Sequence, residues 1–289
     1  MGLRINTNVA SLNSRRHLFN TTNNFNKSME KLSSGMRINR SGDDAAGLAI
    51  SEGLKSDIRA LDQASRNAAD GISLVQVAEG SMDELSNILL RMRELAEQAA
   101  TETLGDSERG YLNQEFQELI SEIDRISATA EFNGIALLDG TAGALDCQVG
   151  IGTDVTTSAV TIDLTNAVDA TFMGLDPTDP LTTLMPDTVG GEEGGDRARV
   201  MIGIIENATG DISSMRAGFG AAQNRLETSI RNIAMTSENL AAANSRIRDV
   251  DVATETSNMT SLQILQQAGV SVLAQANMTS QLALQLLQG

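Results

Sequence analysis

Side chains that commonly carry catalysis or bind metals are scarce in this chain. Its 289 residues include one histidine (His17), one cysteine (Cys147), one tyrosine (Tyr111) and no tryptophan. One His with one Cys cannot form a four-ligand zinc site, and a single imidazole leaves little for a catalytic dyad. A disulfide within the chain is impossible. Carboxylate chemistry stays open, but we expect no catalytic residue, no metal and no cofactor, and hence not an enzyme.

The charge of the chain is acidic and unevenly distributed. Its 21 Lys and Arg against 38 Asp and Glu give a net charge of −17, whereas nucleic-acid binding needs a basic surface. Residues 1–40 hold seven basic groups and one acid, a net +6, so the other 249 residues carry −23. A basic arm can indicate nucleic-acid binding. Because apolar residues recur through this arm, a helix with solvated basic groups is the favoured interpretation.

Apolar residues recur at helical spacing at both ends of the chain. Ile5, Val9, Leu12 and Phe19 are separated by 4, 3 and 7 positions, a heptad stripe that predicts a helix over residues 5–33. At 1.5 Å per residue this helix would be about 44 Å long. The C-terminal segment alternates steps of 3 and 4 over Leu262, Leu265, Gly269, Val272, Ala276, Thr279, Ala283 and Leu286.

The C-terminal segment lacks charge but does not have the composition of a membrane span. Residues 256–289 contain no ionisable side chain and seven glutamines, whose burial in lipid would be costly. We expect the two terminal helices to pair and to leave apolar outer faces that other copies cover. The prediction is self-assembly, with polymerisation driven by Ile5, Val9, Leu12, Phe19, Leu262, Leu265, Val272, Ala276 and Leu286.

Three more helical stretches are predicted between the terminal helices. Ser41 and Asp44 have the spacing of a capping box, which predicts the start of a helix that continues to about Thr101. A second helix is predicted to begin at Asp106. A third is predicted from near residue 198 to about residue 246. These stretches carry apolar residues at helical spacing, so they are expected to pack as a bundle.

The middle of the chain departs from the helical pattern. All three prolines lie in residues 134–196, and residues 126–196 hold twelve acids without a basic side chain. Alternation over residues 160–164 predicts short strands or a hairpin. The fold class is therefore mainly α, a long-helix bundle with paired N- and C-terminal coiled-coil helices and a small β-hairpin insertion in the middle of the chain. We divide the chain into terminal helices (1–40 with 256–289), a helical bundle (41–139 with 197–255) and a short, acidic, solvent-facing region (140–196).

Ordered motifs at both ends resemble those of bacterial flagellin. Residues 32–39 (Leu-Ser-Ser-Gly-Met-Arg-Ile-Asn) and 43–50 (Asp-Asp-Ala-Ala-Gly-Leu-Ala-Ile) look like its N-terminal hallmark. Residues 132–134 match its Phe-Asn-Gly motif. Residues 245–255 and 263–269 look like its C-terminal hallmark. These are long blocks in the same order as in the family, so the resemblance is specific.

The resemblance covers most of the chain. It extends over about residues 1–140 and 197–289, whereas the middle matches no recognised pattern. Ser41, Gly42 and Arg248 depart from the residues that are more common in the family. The contacts of these three positions are therefore left open by the resemblance, although the fold is not.

The resemblance implies a structural subunit that is secreted and self-assembles into the extracellular helical filament of the bacterial flagellum, for swimming motility. The paired terminal helices would line the inner tube, and the acidic middle would face solvent, where like charges repel neighbouring polymers. Implied partners are other flagellin subunits, the flagellar cap, hook-associated proteins and an export chaperone, with no nucleic acid and no membrane span. A flagellar hook-filament junction protein is the alternative. Flagellins with an inserted zinc protease need two histidines, and this chain has one.

A second surface is implied by the same resemblance. Arg91 and Leu95, four positions apart on one predicted helix face, resemble the flagellin segment bound by the Toll-like receptor for flagellin. Glu115 on the following helix matches a third contributor. In the family this surface also makes contacts between axially stacked subunits. Receptor binding and assembly are therefore both expected roles for these three residues.

Overall fold

Long α-helices account for most of the structure, as the apolar spacing predicts. The computed structural model describes residues 7–175, 184 and 194–288, without the side chains of residues 279–288. The helices are α1 (Val9–Ser34), α2 (Ala45–Ala99), α3 (Asp106–Thr129), α4 (Val155–Ser158), α5 (Gly194–Arg248) and α6 (Val252–Gln288). The strands are β1 (Glu131–Phe132), β2 (Ile135–Ala136), β3 (Gly143–Gln148) and β4 (Ala159–Leu164). The predicted fold class is confirmed.

The ends of α1 have clear local causes. The Asn8 side chain accepts a hydrogen bond from the backbone N–H of Ser11 at 3.0 Å and so caps the first turn. At the other end Gly35 adopts φ 70°, the left-handed conformation that terminates many helices and that suits glycine. The helix therefore ends where the hallmark Ser-Ser-Gly motif places its glycine.

The start of α2 differs from the predicted capping box. Asp44, and not Ser41, caps this helix, because Asp44 Oδ1 accepts a hydrogen bond from the backbone N–H of Gly47 at 2.9 Å. The neighbouring Asp43 accepts from the backbone N–H of Arg40 at 3.1 Å, which closes the preceding turn. Both side chains of the Asp-Asp pair are thus used, one for the turn and one for the helix.

Two compact units divide the chain. The terminal unit comprises residues 1–58 and 238–289, and the central unit comprises residues 59–237. The predicted three-part division refers to positions in a filament and stays a prediction. The central unit has an aliphatic core from α2, α3 and α5, whose fully buried side chains include Met82, Leu85, Leu89, Met92, Leu95, Phe116, Ile120 and Ile123.

Two antiparallel hairpins also belong to the central unit. β1 and β2 are joined through Asn133 and Gly134, both with positive φ (52° and 79°), as a tight Asn-Gly turn requires. β3 pairs with β4 along all six residues of each strand. On β4, Val160, Ile162 and Leu164 are buried and the intervening residues are exposed. The strand predicted from alternation is confirmed.

In the terminal unit, α1 and α6 form an antiparallel pair. The residues that are at least half-buried recur in steps of 3 and 4, the pattern of a coiled-coil seam. On α1 those that follow these steps are Ser11, Ser14, Leu18, Thr21, Phe25, Ser28 and Leu32, and Thr22, Glu30, Lys31 and Ser34 are partly buried beside them. On α6 they are Glu255, Met259, Leu262, Gln266, Gly269, Leu273 and Ala276. We call these two sets the seam.

The turn between α5 and α6 joins the segment that follows α1. The backbone N–H of Arg37 donates to the carbonyl of Arg248 at 2.6 Å, and that of Val250 donates to the carbonyl of Gly35 at 3.0 Å. The Arg248 guanidinium pairs with the Glu52 carboxylate on α2. The family resemblance left the contacts of Arg248 open. In the structure they include an ion pair with Glu52 and a backbone hydrogen bond with Arg37, both within the terminal unit.

Candidate assembly and recognition surfaces

The predicted apolar stripe on α1 lies outside the seam. Val9, Leu12 and Phe19 expose 63%, 54% and 66% of their surfaces. On α6, Leu265 and Val272 are also more than half exposed. We call these five residues the outer stripe. Apolar side chains that are exposed to water in this number are typical of a surface that binds a partner.

The remaining predicted polymerisation residues have other positions. Leu262 and Ala276 are half-buried and belong to the seam. Ile5 and the side chain of Leu286 lie outside what the structure describes. The sequence spacing correctly marked two helices but mixed residues of the seam with residues of the outer stripe, since a step of 3 or 4 fits either side of a helix.

Sequence analysis missed several members of the exposed surface. Ile264, Val270 and Met278 on α6 each expose more than half of their area. Their signal was the width of the apolar pattern, which exceeds what one partner helix can cover. The outer surface of α6 is therefore broader than the predicted stripe.

The seam combines apolar residues with polar contacts. Among the described residues, hydrogen bonds cross the helix pair from Asn8 Nδ2 to Ala276 O (2.8 Å), Ser11 Oγ to Asn277 Oδ1 (2.9 Å), Gln266 Nε2 to Thr22 Oγ1 (3.3 Å) and Ser28 Oγ to Glu255 Oε1 (2.5 Å). The Cβ position of Gly269 would lie 3.2 Å from a Leu18 methyl group, so a side chain there would crowd the seam. Close helix approach and hydrogen bonds therefore add to the burial of the six larger apolar side chains of the seam.

The second candidate surface joins α2 to α3 in the central unit. Arg91 Nε donates to Glu115 Oε1 at 2.9 Å, and Arg91 Nη1 lies 2.9 Å from Glu94 Oε2. These hydrogen bonds, that to Glu115 first, raise the pKa of Arg91 above its usual value. Arg91 and Glu115 are each about half exposed. The structure thus brings these two predicted residues together on an accessible surface.

Leu95 has a different environment. It exposes 1% of its surface and belongs to the core of the central unit. The expectation that it shares an accessible face with Arg91 is therefore not met in this fold. Its side chain belongs to the core that supports the two helices presenting Arg91 and Glu115, and it is not available for contact with a partner.

The described residues give little support to a membrane span or to a metal site. In the part of the chain that is described, no helix is long and apolar enough to cross a membrane. Among the same residues, no three His, Cys, Asp or Glu side chains are grouped so that they could hold a metal ion. The free thiol of Cys147 is half-buried and donates to the Asn67 carbonyl at 3.0 Å.

Comparison with known proteins agrees with the two helical ends. Residues 5–143 match the model of the bacterial flagellin N-terminal helical region, and residues 202–287 match that of the C-terminal helical region. The chain is 46% identical to the flagellin of Halalkalibacterium halodurans over 98% of its own length and 99% of that protein. It is 41% identical to the flagellin of Bacillus subtilis, covering 99% and 100%.

A third relative is named for the filament itself. The flagellar filament 33 kDa core protein of Treponema phagedenis is 40% identical over 98% of this chain and 99% of that protein. This chain matches all three relatives along nearly their whole length, and each is named as a flagellin or a filament protein. The alternative, a junction protein, is not better supported. The chain therefore belongs to the bacterial flagellin family, as a structural subunit of the flagellar filament.

Proposed function

We propose that the outer stripe of the paired terminal helices is the surface through which copies of this chain polymerise. The observation that carries this proposal is the exposure of Val9, Leu12, Phe19, Leu265 and Val272 on a helix pair that already has a separate seam. Covering these side chains by other copies removes apolar surface from water, which favours association. In this arrangement residues 1–40 and 256–289 form the inner tube of the filament, and residues 140–196 face solvent.

The filament is proposed to be extracellular, with the chain secreted through the flagellar export apparatus. The flagellar cap, hook-associated proteins and an export chaperone are the proposed partners besides other flagellin subunits. The family resemblance supports these assignments.

Seeded polymerisation tests the assembly proposal. Purified chain is added to filament fragments, and filament length is followed by negative-stain electron microscopy. We expect Phe19→Ser to abolish elongation. Phe172→Ser is the matched control, since Phe172 is also exposed but lies in the central unit, and it should elongate like the unchanged protein. Normal elongation of Phe19→Ser would refute the role of the outer stripe, and failure of the unchanged chain would favour the junction-protein alternative.

A second proposed role is recognition by the Toll-like receptor for flagellin. It is favoured by the accessible Arg91–Glu115 pair, which presents a fixed guanidinium across two helices. Arg91→Ala should lower receptor signalling, while Arg125→Ala, which removes another exposed helical Arg–Glu pair of the central unit, should not. The readout is reporter-cell activation at equal protein concentration. If Arg91→Ala signalled as strongly as Arg125→Ala, the role of the Arg91–Glu115 pair would be limited to axial contacts between subunits.

A further inference from the structure

The seam between α1 and α6 contains one buried polar contact. Ser28 exposes 5% of its surface and is the only buried residue of α1, all of which the structure describes. Its Oγ donates a hydrogen bond to Glu255 Oε1 at 2.5 Å. Glu255 is the single ionisable side chain in the sequence of α6. The one charge on α6 therefore meets the one buried hydroxyl on α1.

The surroundings of this contact depend on the register of the two helices. Lys27 and Lys31 of α1 line the same open cleft as Ser28 and Glu255, so the cleft that holds the carboxylate has a basic lining. An antiparallel slip by one heptad would place Glu255 opposite Thr21 or beyond the end of α1. The hydrogen bond to Ser28 would then be lost, and the carboxylate would move away from at least part of its basic surroundings.

The α1 side of the seam discriminates weakly between registers. A shift by seven positions exchanges Ser14 for Thr21 and Leu18 for Phe25, so residues of similar kind replace one another. The outer stripe moreover offers a competing seam with apolar side chains of similar size. In coiled coils a polar group at one seam position selects register and partner at some cost in stability.

We propose that the Ser28–Glu255 contact fixes the register of the α1–α6 pair and selects the seam over the outer stripe, so that the outer stripe stays available to other copies. This inference rests on the proposed polymerisation through the outer stripe. Ser28 and Glu255 are positioning residues, because they act on assembly through the orientation of the stripe. The contact sets which faces of the two helices meet, and the stripe supplies the surface that associates.

Pairs of engineered cysteines can report the register. In a Cys147→Ser background, Ser11→Cys with Asn277→Cys reports the observed register, since Ser11 Oγ and Asn277 Oδ1 are 2.9 Å apart. Ser11→Cys with Val270→Cys reports a slip by one heptad. The yield of oxidative cross-linking is measured for both pairs in the full chain, free and in seeded filaments. Each pair is combined with Ser28→Ala, with Ser28→Thr, or with Ser33→Ala, an exposed serine on the same helix.

The expected result is a change in the ratio of the two yields. Ser28→Ala should lower the ratio of observed to slipped register by about tenfold, the effect of losing one hydrogen bond to a charged group. Ser28→Thr keeps the hydroxyl and should restore the ratio, and Ser33→Ala should leave it unchanged. An unchanged ratio in Ser28→Ala, or an equal fall in Ser33→Ala, would overturn the register role. Because the ratio is also read in the free chain, failure of the filaments alone would count against the polymerisation proposal instead.

Discussion

The terminal and central units differ in what holds them together. In the described part of the terminal unit, Ile38 is the one buried apolar side chain, whereas the central unit buries more than thirty. The sequence of the terminal unit carries ten basic and nine acidic groups, a net +1, and that of the central unit carries eleven and 29, a net −18. The central unit has a core of its own, while the terminal unit keeps apolar surface for a partner and little charge to oppose close association.

The same helical geometry thus serves two purposes. In the central unit, Leu and Ile occupy the inward positions of α2 and α3 and supply stability by burial. In the terminal unit, Ser, Thr and Gln share the inward positions of α1 and α6 with apolar residues, and further large apolar side chains point outward. Stability of the central unit should therefore depend on single core residues, whereas order in the terminal unit should depend on assembly.

The largest expected effect comes from a matched pair of leucine truncations. Leu89 is fully buried in the central unit, and Leu12 is 54% exposed in the terminal unit. Leu89→Ala should lower the free energy of unfolding by about 2–5 kcal/mol, because it leaves a cavity. Leu12→Ala should change it by less than about 0.5 kcal/mol. Urea denaturation of the full chain, followed by far-UV circular dichroism, measures both, and similar effects would break the comparison.

A buried arginine offers the next largest effect. Arg109 exposes 8% of its surface and donates to the carbonyls of Ala99 and Thr101 at 3.0 and 3.1 Å, closing the turn between α2 and α3. Arg109→Leu would leave these carbonyls without that donor and should lower the free energy of unfolding by about 1–3 kcal/mol. Arg125→Leu on the exposed face of α3 is the control. Equal midpoints for the two variants in urea would mean that the turn does not need its buried guanidinium.

Sequence spacing predicted the helices and the hairpin but not which helix faces meet. A heptad pattern shows which residues share a side of a helix, yet it carries no information on which partner covers that side. On α6 the outer-stripe residue Leu265 and the seam residue Gln266 are neighbours in the sequence. Because only Leu265 is apolar, the apolar pattern selected the exposed residue. The seam mixes polar and apolar residues at steps of 3 and 4, so the spacing of apolar residues alone does not identify it.

The burial of Leu95 has a similarly simple cause. A step of four positions in an α-helix turns by about 400°, so Leu95 lies about 40° around α2 from Arg91. That rotation is enough to move from the exposed edge to the core when α3 packs beside the helix. The family motif placed the three residues correctly in sequence, but it could not report how deeply each is buried.

Thiol reactivity gives a smaller test of the difference between the units. Burial, reinforced by the negative charge of Asp70, raises the pKa of the Cys147 thiol in the central unit. Reaction with iodoacetamide at pH 8 should therefore be several-fold slower at Cys147 than at an outer-stripe cysteine made by Val9→Cys in a Cys147→Ser background. Mass spectrometry of the carbamidomethylated protein gives both rates. Comparable rates would show that the thiol is more accessible than its half-buried position indicates.

The smallest effect concerns the start of α6. Hydrogen bonds from Thr254 and the backbone N–H of Ala253 lower the pKa of Asp251, which caps this helix. A carboxylate whose pKa is lowered by folding stabilises the folded state above its unfolded pKa of about 3.9, and this contribution is lost as the pH falls through the folded pKa. Protection of the Ala253 and Thr254 amides from hydrogen exchange should therefore decrease below about pH 4.

Asp251→Asn separates this local titration from general acid unfolding. Asparagine keeps an acceptor oxygen for the cap but cannot be protonated in this range, so amide protection at the start of α6 should become independent of pH. Nuclear magnetic resonance at fixed temperature, with intrinsic exchange rates removed, gives the protection factors. If Asp251→Asn lost protection at the same pH as the unchanged chain, titration elsewhere in the terminal unit would control its opening. Loss of amide protection in the unchanged chain alone would show that the Asp251 cap controls the stability of the start of α6.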